Sequence, residues 1–239
     1  MALACSAGFY TLMIWIGTFY GMVNDPEASG FDTNVGSEVE IGHPDVITTV
    51  QLLWLIFCFP VAGFLSDRVK TGDRRLVVMF GGTLSLCATA VPLFTLMLDN
   101  PTAGTALFMQ SCFSMMLSCI GGPMAAWFVE AFPPMVRYSG VGMGYNFGQA
   151  FFGGPSPLIA SYFVGKGIVR GPMYWVCFVS CIAMLGQYFA RREALRLSSA
   201  LTSDGTVGAG ASLPSDLGKD FITANPTAAA LGASTASAE

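Results

Sequence analysis

Six apolar runs recur along the chain, near residues 4–23, 46–65, 76–98, 105–129, 140–164 and 172–190, and none carries Lys, Arg, Asp or Glu in its interior. A hydrocarbon core about 30 Å thick takes roughly 20 helical residues to cross, so each run predicts a transmembrane helix. The polar residues are crowded into the turns between the runs. This pattern predicts an all-α integral membrane protein of six transmembrane helices over residues 1–197. From residue 198 to 239 the chain turns to Ala, Ser, Thr and Gly with scattered Asp. Such a stretch holds too little apolar surface to bury a core, which predicts a disordered cytoplasmic tail. Composition agrees: hydrophobic residues make up 53% and charged residues 11%, against roughly 25% charged in a globular domain.

The loop charges give an orientation. Arg68, Lys70, Arg74 and Arg75 fall between the second and third runs, Arg137 between the fourth and fifth, and Arg191, Arg192 and Arg196 after the sixth. The opposite side holds Asp25, Glu27, Asp32, Glu38, Glu40 and Asp45 with no base among them, and only Lys166 and Arg170 depart from the bias. Positive-inside asymmetry therefore places both termini in the cytoplasm, and the expected location is the plasma membrane. The first run is read as a mature span. No basic residues precede it, and Trp15, Tyr20 and Met22 stand where a leader needs small residues.

Candidate chemistry is uncharged. Tyr10 lies in the first run, Gln51 in the second, Gln110 and Ser114 in the fourth, and Asn146 and Gln149 in the fifth. Gln110, Ser114 and Ser118 recur every fourth residue and share a helix face. These groups either line a solute path or hydrogen-bond neighbouring helices, the latter worth about 1 kcal/mol each. Gly140, Gly144 and Gly148 form two consecutive small-xxx-small repeats, which suit close helix packing. Asp67, Arg68, Arg74, Arg75, Glu130 and Arg137 crowd the ends of two short loops, where they either form an inter-helix ion-pair cluster or anchor topology. The seven cysteines all lie in apolar runs and the single histidine, His43, stands alone, so no metal site and no cofactor is expected. Neither a buried acid–base pair nor a nucleophile beside a base stands out, so no enzyme is expected, and nothing points to nucleic acid.

Two motifs carry a resemblance. Gly63, Leu65, Asp67, Arg68, Arg74 and Arg75 follow the loop pattern G-x-L-x-D-R-x-G-R-R, with Val69 to Asp73 lengthening it. Glu130, Phe132, Pro133, Arg137, Tyr138 and Gly140 follow E-L-F-P-T-x-V-R-Y-T-G, with Pro134 and Met135 departing from it. Gly144–Tyr145–Asn146, Gly148, Gly153–Gly154 and Pro157–Leu158–Ile159–Ala160 continue the second pattern. At these residues the chain resembles the major facilitator superfamily, in its metabolite:proton symporter group of proline/betaine, shikimate and α-ketoglutarate carriers. The resemblance covers about residues 4–192. It implies the C-terminal six-helix half of a twelve-helix fold, with the motifs at the eighth-to-ninth and tenth-to-eleventh helix junctions. It further implies a secondary transporter for a small polar metabolite, an organic acid or zwitterion, working with protons by alternating access when complete. The ionic residues would latch a cytoplasmic gate. An N-terminal half or self-association would be needed, in a lipid bilayer, and the coupling acid would come from outside these runs. The alternative is a non-transporting scaffold or regulatory subunit that pairs with full-length carriers.

Overall fold

The computed structural model describes residues 2–24, 43–69, 74–132 and 136–203. The loop acids Asp25 to Glu40, Lys70, the Arg74 side chain, Pro133 to Met135 and the tail from residue 204 lie outside the described residues. Every described element is helical. The first helical run comprises α1 (Ala2–Phe9), a π-helical turn (Tyr10–Trp15) and α2 (Ile16–Asn24). Then come α3 (Pro44–Arg68), α4 (Arg74–Asp99) and α5 (Ala103–Ala131). A second interrupted run follows: α6 (Arg137–Gly148), a π-helical turn (Gln149–Gly153) and α7 (Ser156–Gly165). The described part closes with α8 (Gly171–Ser203).

Four of these helices are long and apolar enough to cross a membrane: Pro44–Arg68, Arg75–Asp99, Ala103–Ala131 and Gly171–Arg192. The first and fifth of the expected crossings are built differently, each from two shorter helices joined through a π turn. A π turn shifts the hydrogen-bond register from i→i+4 to i→i+5 and often marks a functional site. The second one shows the shift directly, the Gly154 N–H donating to the Gln149 carbonyl at 2.8 Å.

The outer surface is apolar. On α3, Leu53, Ile56, Phe57, Val61 and Phe64 are all more than half exposed, and only 22% of its most apolar stretch is buried against the chain. In water such a face would be an aggregation site; in a bilayer it faces lipid tails. The interior gathers around the first run, where Leu12, Met13, Trp15, Ile16, Phe19 and Tyr20 are buried among Phe94, Phe113 and Leu117. This run is therefore the central element of the described chain.

Helices in lipid gain no hydrophobic drive toward one another, so close van der Waals contact must hold them. Helix α5 supplies that contact on two sides. A methyl group at Gly122 would lie 2.8 Å from the Phe59 carbonyl oxygen and 3.1 Å from the Gly63 nitrogen, so α3 and α5 touch backbone to backbone. One turn earlier on α5, Cys119 and Met116 meet α4 where a methyl at Gly82 would stand 2.9 Å from Cys119 Cβ. Prolines at 60, 92 and 123 sit inside α3, α4 and α5; Pro123 is buried, the setting in which a lost helix hydrogen bond is tolerated at membrane depth.

The turns are chemically specified. Thr102 and Thr105 cap α5 reciprocally, the Thr105 N–H donating to Thr102 Oγ1 at 3.3 Å and the Thr102 N–H to Thr105 Oγ1 at 3.1 Å. Helix α7 ends at Gly165 and the chain turns at Gly167, whose φ of 78° is the single positive value among the described residues. The Gly167 N–H reaches the Val164 carbonyl and the Ile168 N–H the Phe163 carbonyl, both at 2.9 Å. This Schellman closure turns the chain into α8. Gly122→Ala is expected to cost about 1–3 kcal/mol of stability through overpacking against backbone. Gly81→Ala, at a glycine with open space around it, is expected to be neutral; thermal unfolding in detergent compares the two.

Candidate functional site

At one end of the bundle a single guanidinium joins three helix ends. Arg75, in the first turn of α4, places Nη2 at 3.4 Å from Asp67 Oδ1 on the last turn of α3 and 3.1 Å from Glu130 Oε1 on the last turn of α5. The arginine is largely enclosed while both acids stay well exposed. Solvent screens such pairs to about 1 kcal/mol or less, so the cluster contributes geometry more than stability. Each acid sits at a helix C-terminus and the base at an N-terminus, so each charge opposes the dipole of its own helix. Only its partners make the placement tolerable. Arg75 Nε is buried and has no acceptor among the described residues.

The other expected members of this cluster are placed otherwise. Arg68 lies over the Phe64 ring, 4.2 Å from its centroid. Arg137 donates Nε to the Phe132 carbonyl at 3.3 Å. A methyl on Gly140 would stand 2.7 Å from the Phe132 ring, so the ring rests on the bare backbone of α6. Phe132, Arg137 and Gly140 thus form one turn lock, which explains why the motif combines those three residue types.

A polar layer lies where the two π turns approach. Gln149 donates Nε2 to the Tyr145 hydroxyl at 2.8 Å. Its Oε1, Tyr10 and Ser6 converge on Gly153, where a methyl would meet them at 2.6, 3.1 and 3.2 Å. Ser6 Oγ, Thr11 Oγ1 and Gln149 Oε1 are buried with no partner among the described residues, an arrangement that calls for a donor or water. Asn146 is exposed on the same helix. The layer is held in place by two indoles, Trp15 Nε1 donating to Ser161 Oγ and Trp175 Nε1 to Ser156 Oγ, both at 2.9 Å.

The remaining solute-path candidates lie deeper. Gln51 is 2% exposed and bonds the Leu12 carbonyl and Met13 Sδ. Gln110 is fully buried and donates to the Tyr20 hydroxyl at 3.0 Å. Ser114 and Ser118 donate to carbonyls one turn back on their own helix, the self-satisfied state of a mid-helix serine. In this structure Gln51 and Gln110 therefore bridge helices around the first run, while Tyr10 and Gln149 stand at the polar layer and Asn146 is exposed beside it in sequence. Of the three packing glycines, Gly140 meets Phe132, Gly148 is buried, and Gly144 has open space around it. Sequence reasoning missed Ser6 and Tyr145. Tyr145 was within reach, one turn before Gln149, whereas Ser6 joins only through tertiary contact.

Apolar helices with lipid-facing surfaces and polar groups gathered inside define an integral, multi-pass membrane protein. The chain is similar in sequence to metabolite:proton symporters of the major facilitator superfamily. It is 30% identical over 157 residues to a citrate-proton symporter of Klebsiella pneumoniae, covering 65% of this chain and 34% of that protein. It is 28% identical over 144 residues to an ectoine/proline transporter of Corynebacterium glutamicum, covering 60% and 28%. Against an α-ketoglutarate permease of Escherichia coli the identity is 25% over 190 residues, covering 80% and 40%. These relatives are transporters, not enzymes. The chain thus spans less than half the length of the curated relatives it matches. No family model matches the chain. No solved structure matches it. Trp15→Phe is expected to remove the bond to Ser161 and cost about 1 kcal/mol, read as a lower midpoint in detergent denaturation.

Proposed function

We propose that this chain forms a six-span half of an alternating-access carrier. The two π-interrupted runs supply the first and fifth crossings beside the four uninterrupted helices. The carrier moves a small polar metabolite, an organic acid or zwitterion, together with protons. The observation that carries this reading is Arg75 bound to both Asp67 and Glu130, which ties three helix ends into one closing unit. The polar layer of Tyr10, Tyr145 and Gln149 further along the bundle, with the exposed Asn146 beside it in sequence, would meet the solute. Its groups are neutral hydrogen-bonders, suited to a polar solute that must also leave. The relatives named for citrate, α-ketoglutarate and ectoine/proline support both solute classes.

In this reading the Arg75 end faces the cytoplasm of a plasma-membrane carrier. Protons couple through an acid outside the six apolar runs, which hold none. A second reading rests on Gly144, whose open surroundings on α6 leave room for another helix. There the chain is a non-transporting subunit that pairs with full-length carriers through α6 at Gly144, since Gly140 is covered by Phe132 and Gly148 is buried, and Gly144→Leu would abolish co-purification with them.

Uptake of radiolabelled citrate, α-ketoglutarate and proline is the direct test, with the chain expressed alone and beside the N-terminal half of a similar carrier. Uptake above background with the added half is expected. Inert, correctly inserted protein in both arrangements overturns the transport reading. Arg75→Lys is expected to lower the uptake rate about tenfold at unchanged expression, because both carboxylates are held by the one terminal nitrogen Nη2, beyond the reach of the shorter lysine side chain.

A further inference from the structure

The seven cysteines are dispersed in the sequence, but three of them meet in the fold. Cys87 lies midway along α4, and Cys177 and Cys181 occupy successive turns of α8. Cys87 Sγ stands 3.7 Å from Cys181 Sγ and 3.9 Å from the Cys177 carbonyl, while Cys177 Sγ donates to the Cys87 carbonyl at 3.2 Å. The two helices are joined again one turn along α4 from Cys87, where Gln187 Nε2 donates to Thr83 Oγ1 at 3.0 Å. That second joint fixes how α4 and α8 face each other. The three thiols also differ in access. Cys181 is exposed, whereas Cys87 and Cys177 are half-buried, and all three are free thiols.

We infer that Cys181 and Cys87 form an oxidation site between α4 and α8, at which a bilayer-dissolved organic hydroperoxide converts the two thiols into a disulfide. Cys181 lies on the exposed apolar face of α8 that also carries Phe178, Leu185 and Tyr188, a face suited to lipid, where oxidants dissolved in the bilayer would reach it. Its sulfur takes the terminal oxygen of the hydroperoxide; the O–O bond breaks, the alcohol leaves, and a sulfenic acid remains. Cys87 then attacks that sulfur, the S–S bond forms, and the hydroxyl departs as water with the Cys87 proton. Two thiols and one hydroperoxide give one disulfide, one alcohol and one water. The sulfurs, 3.7 Å apart, must close by about 1.7 Å to reach bonding distance. Cys177 is turned aside, its thiol engaged with the Cys87 carbonyl, so the link is specific to the other pair. The site stands independently of transport.

The full chain in lipid vesicles, treated with cumene hydroperoxide, tests this. Maleimide tagging is expected to lose two of the seven cysteines together and to recover both with dithiothreitol. Peptide mass spectrometry should find Cys87 linked to Cys181, and the same link in Cys177→Ser. In Cys87→Ser the Cys181 sulfenic acid should persist and be trapped by dimedone. A link through Cys177, irreversible oxidation of Cys181 alone, or seven unchanged tags would each overturn the site. The wild-type peptide assignment decides it even where a variant does not fold.

Discussion

Every helix in this chain must find its neighbours without help from water, and that constraint organises the rest of the structure. In hydrocarbon the backbone satisfies its own hydrogen bonds or pays several kcal/mol per group, which is why all the described elements are helical. Apolar side chains are as content against lipid as against protein. What remains to define the bundle is close approach and polar contact. The backbone contact of Gly122 with Phe59 and Gly63 supplies the first. The bonds of Gln110 to Tyr20, Gln187 to Thr83 and the two indoles to serines supply the second.

The two interrupted runs are where this economy is relaxed. A π turn removes regularity from a helix and redirects side chains, and both turns lie where the first run meets Gln149 and Gly153. The same region holds the Ser6, Thr11 and Gln149 oxygens that lack a partner among the described residues. Local irregularity and unsatisfied polarity at one depth is a combination a static bundle would remove. The indole bonds at Ser156 and Ser161 hold α7 firmly beyond the second turn, while Tyr138 and Met143 on α6 stand largely exposed before it. Rigid and open parts therefore alternate along one run, in keeping with a solute layer next to a closing end.

The ionic end shows how much of the candidate site was legible. Asp67, Arg75, Glu130 and Arg137 were all recognisable from loop position and motif. Their pairing was not. Glu130 and Arg137 flank one turn, yet the base within reach of Glu130 is Arg75, more than fifty residues earlier, and Arg137 serves the turn through Phe132. Among the polar residues, the row of Gln110, Ser114 and Ser118 looked alike on a helical face. The fold separates it into one inter-helix donor and two hydroxyls satisfied on their own helix.

By itself the sequence determined that this is a membrane-embedded helical chain, where its turns fall and which relatives it shares. Those properties follow from hydropathy, loop charge and short motifs, all of which act locally along the chain. The tertiary structure decided which side chains meet: Arg75 with two acids, Gln149 with Tyr145 beside Ser6 and Tyr10, Cys87 with Cys181. It also placed the π turns, the second running into the Gly153–Gly154–Pro155 interruption of the fifth run and the first inside a uniform apolar run. The physical reason is that helix tilt and register in lipid are set by contact between glycine backbones and long side chains far apart in the chain, which no local pattern encodes.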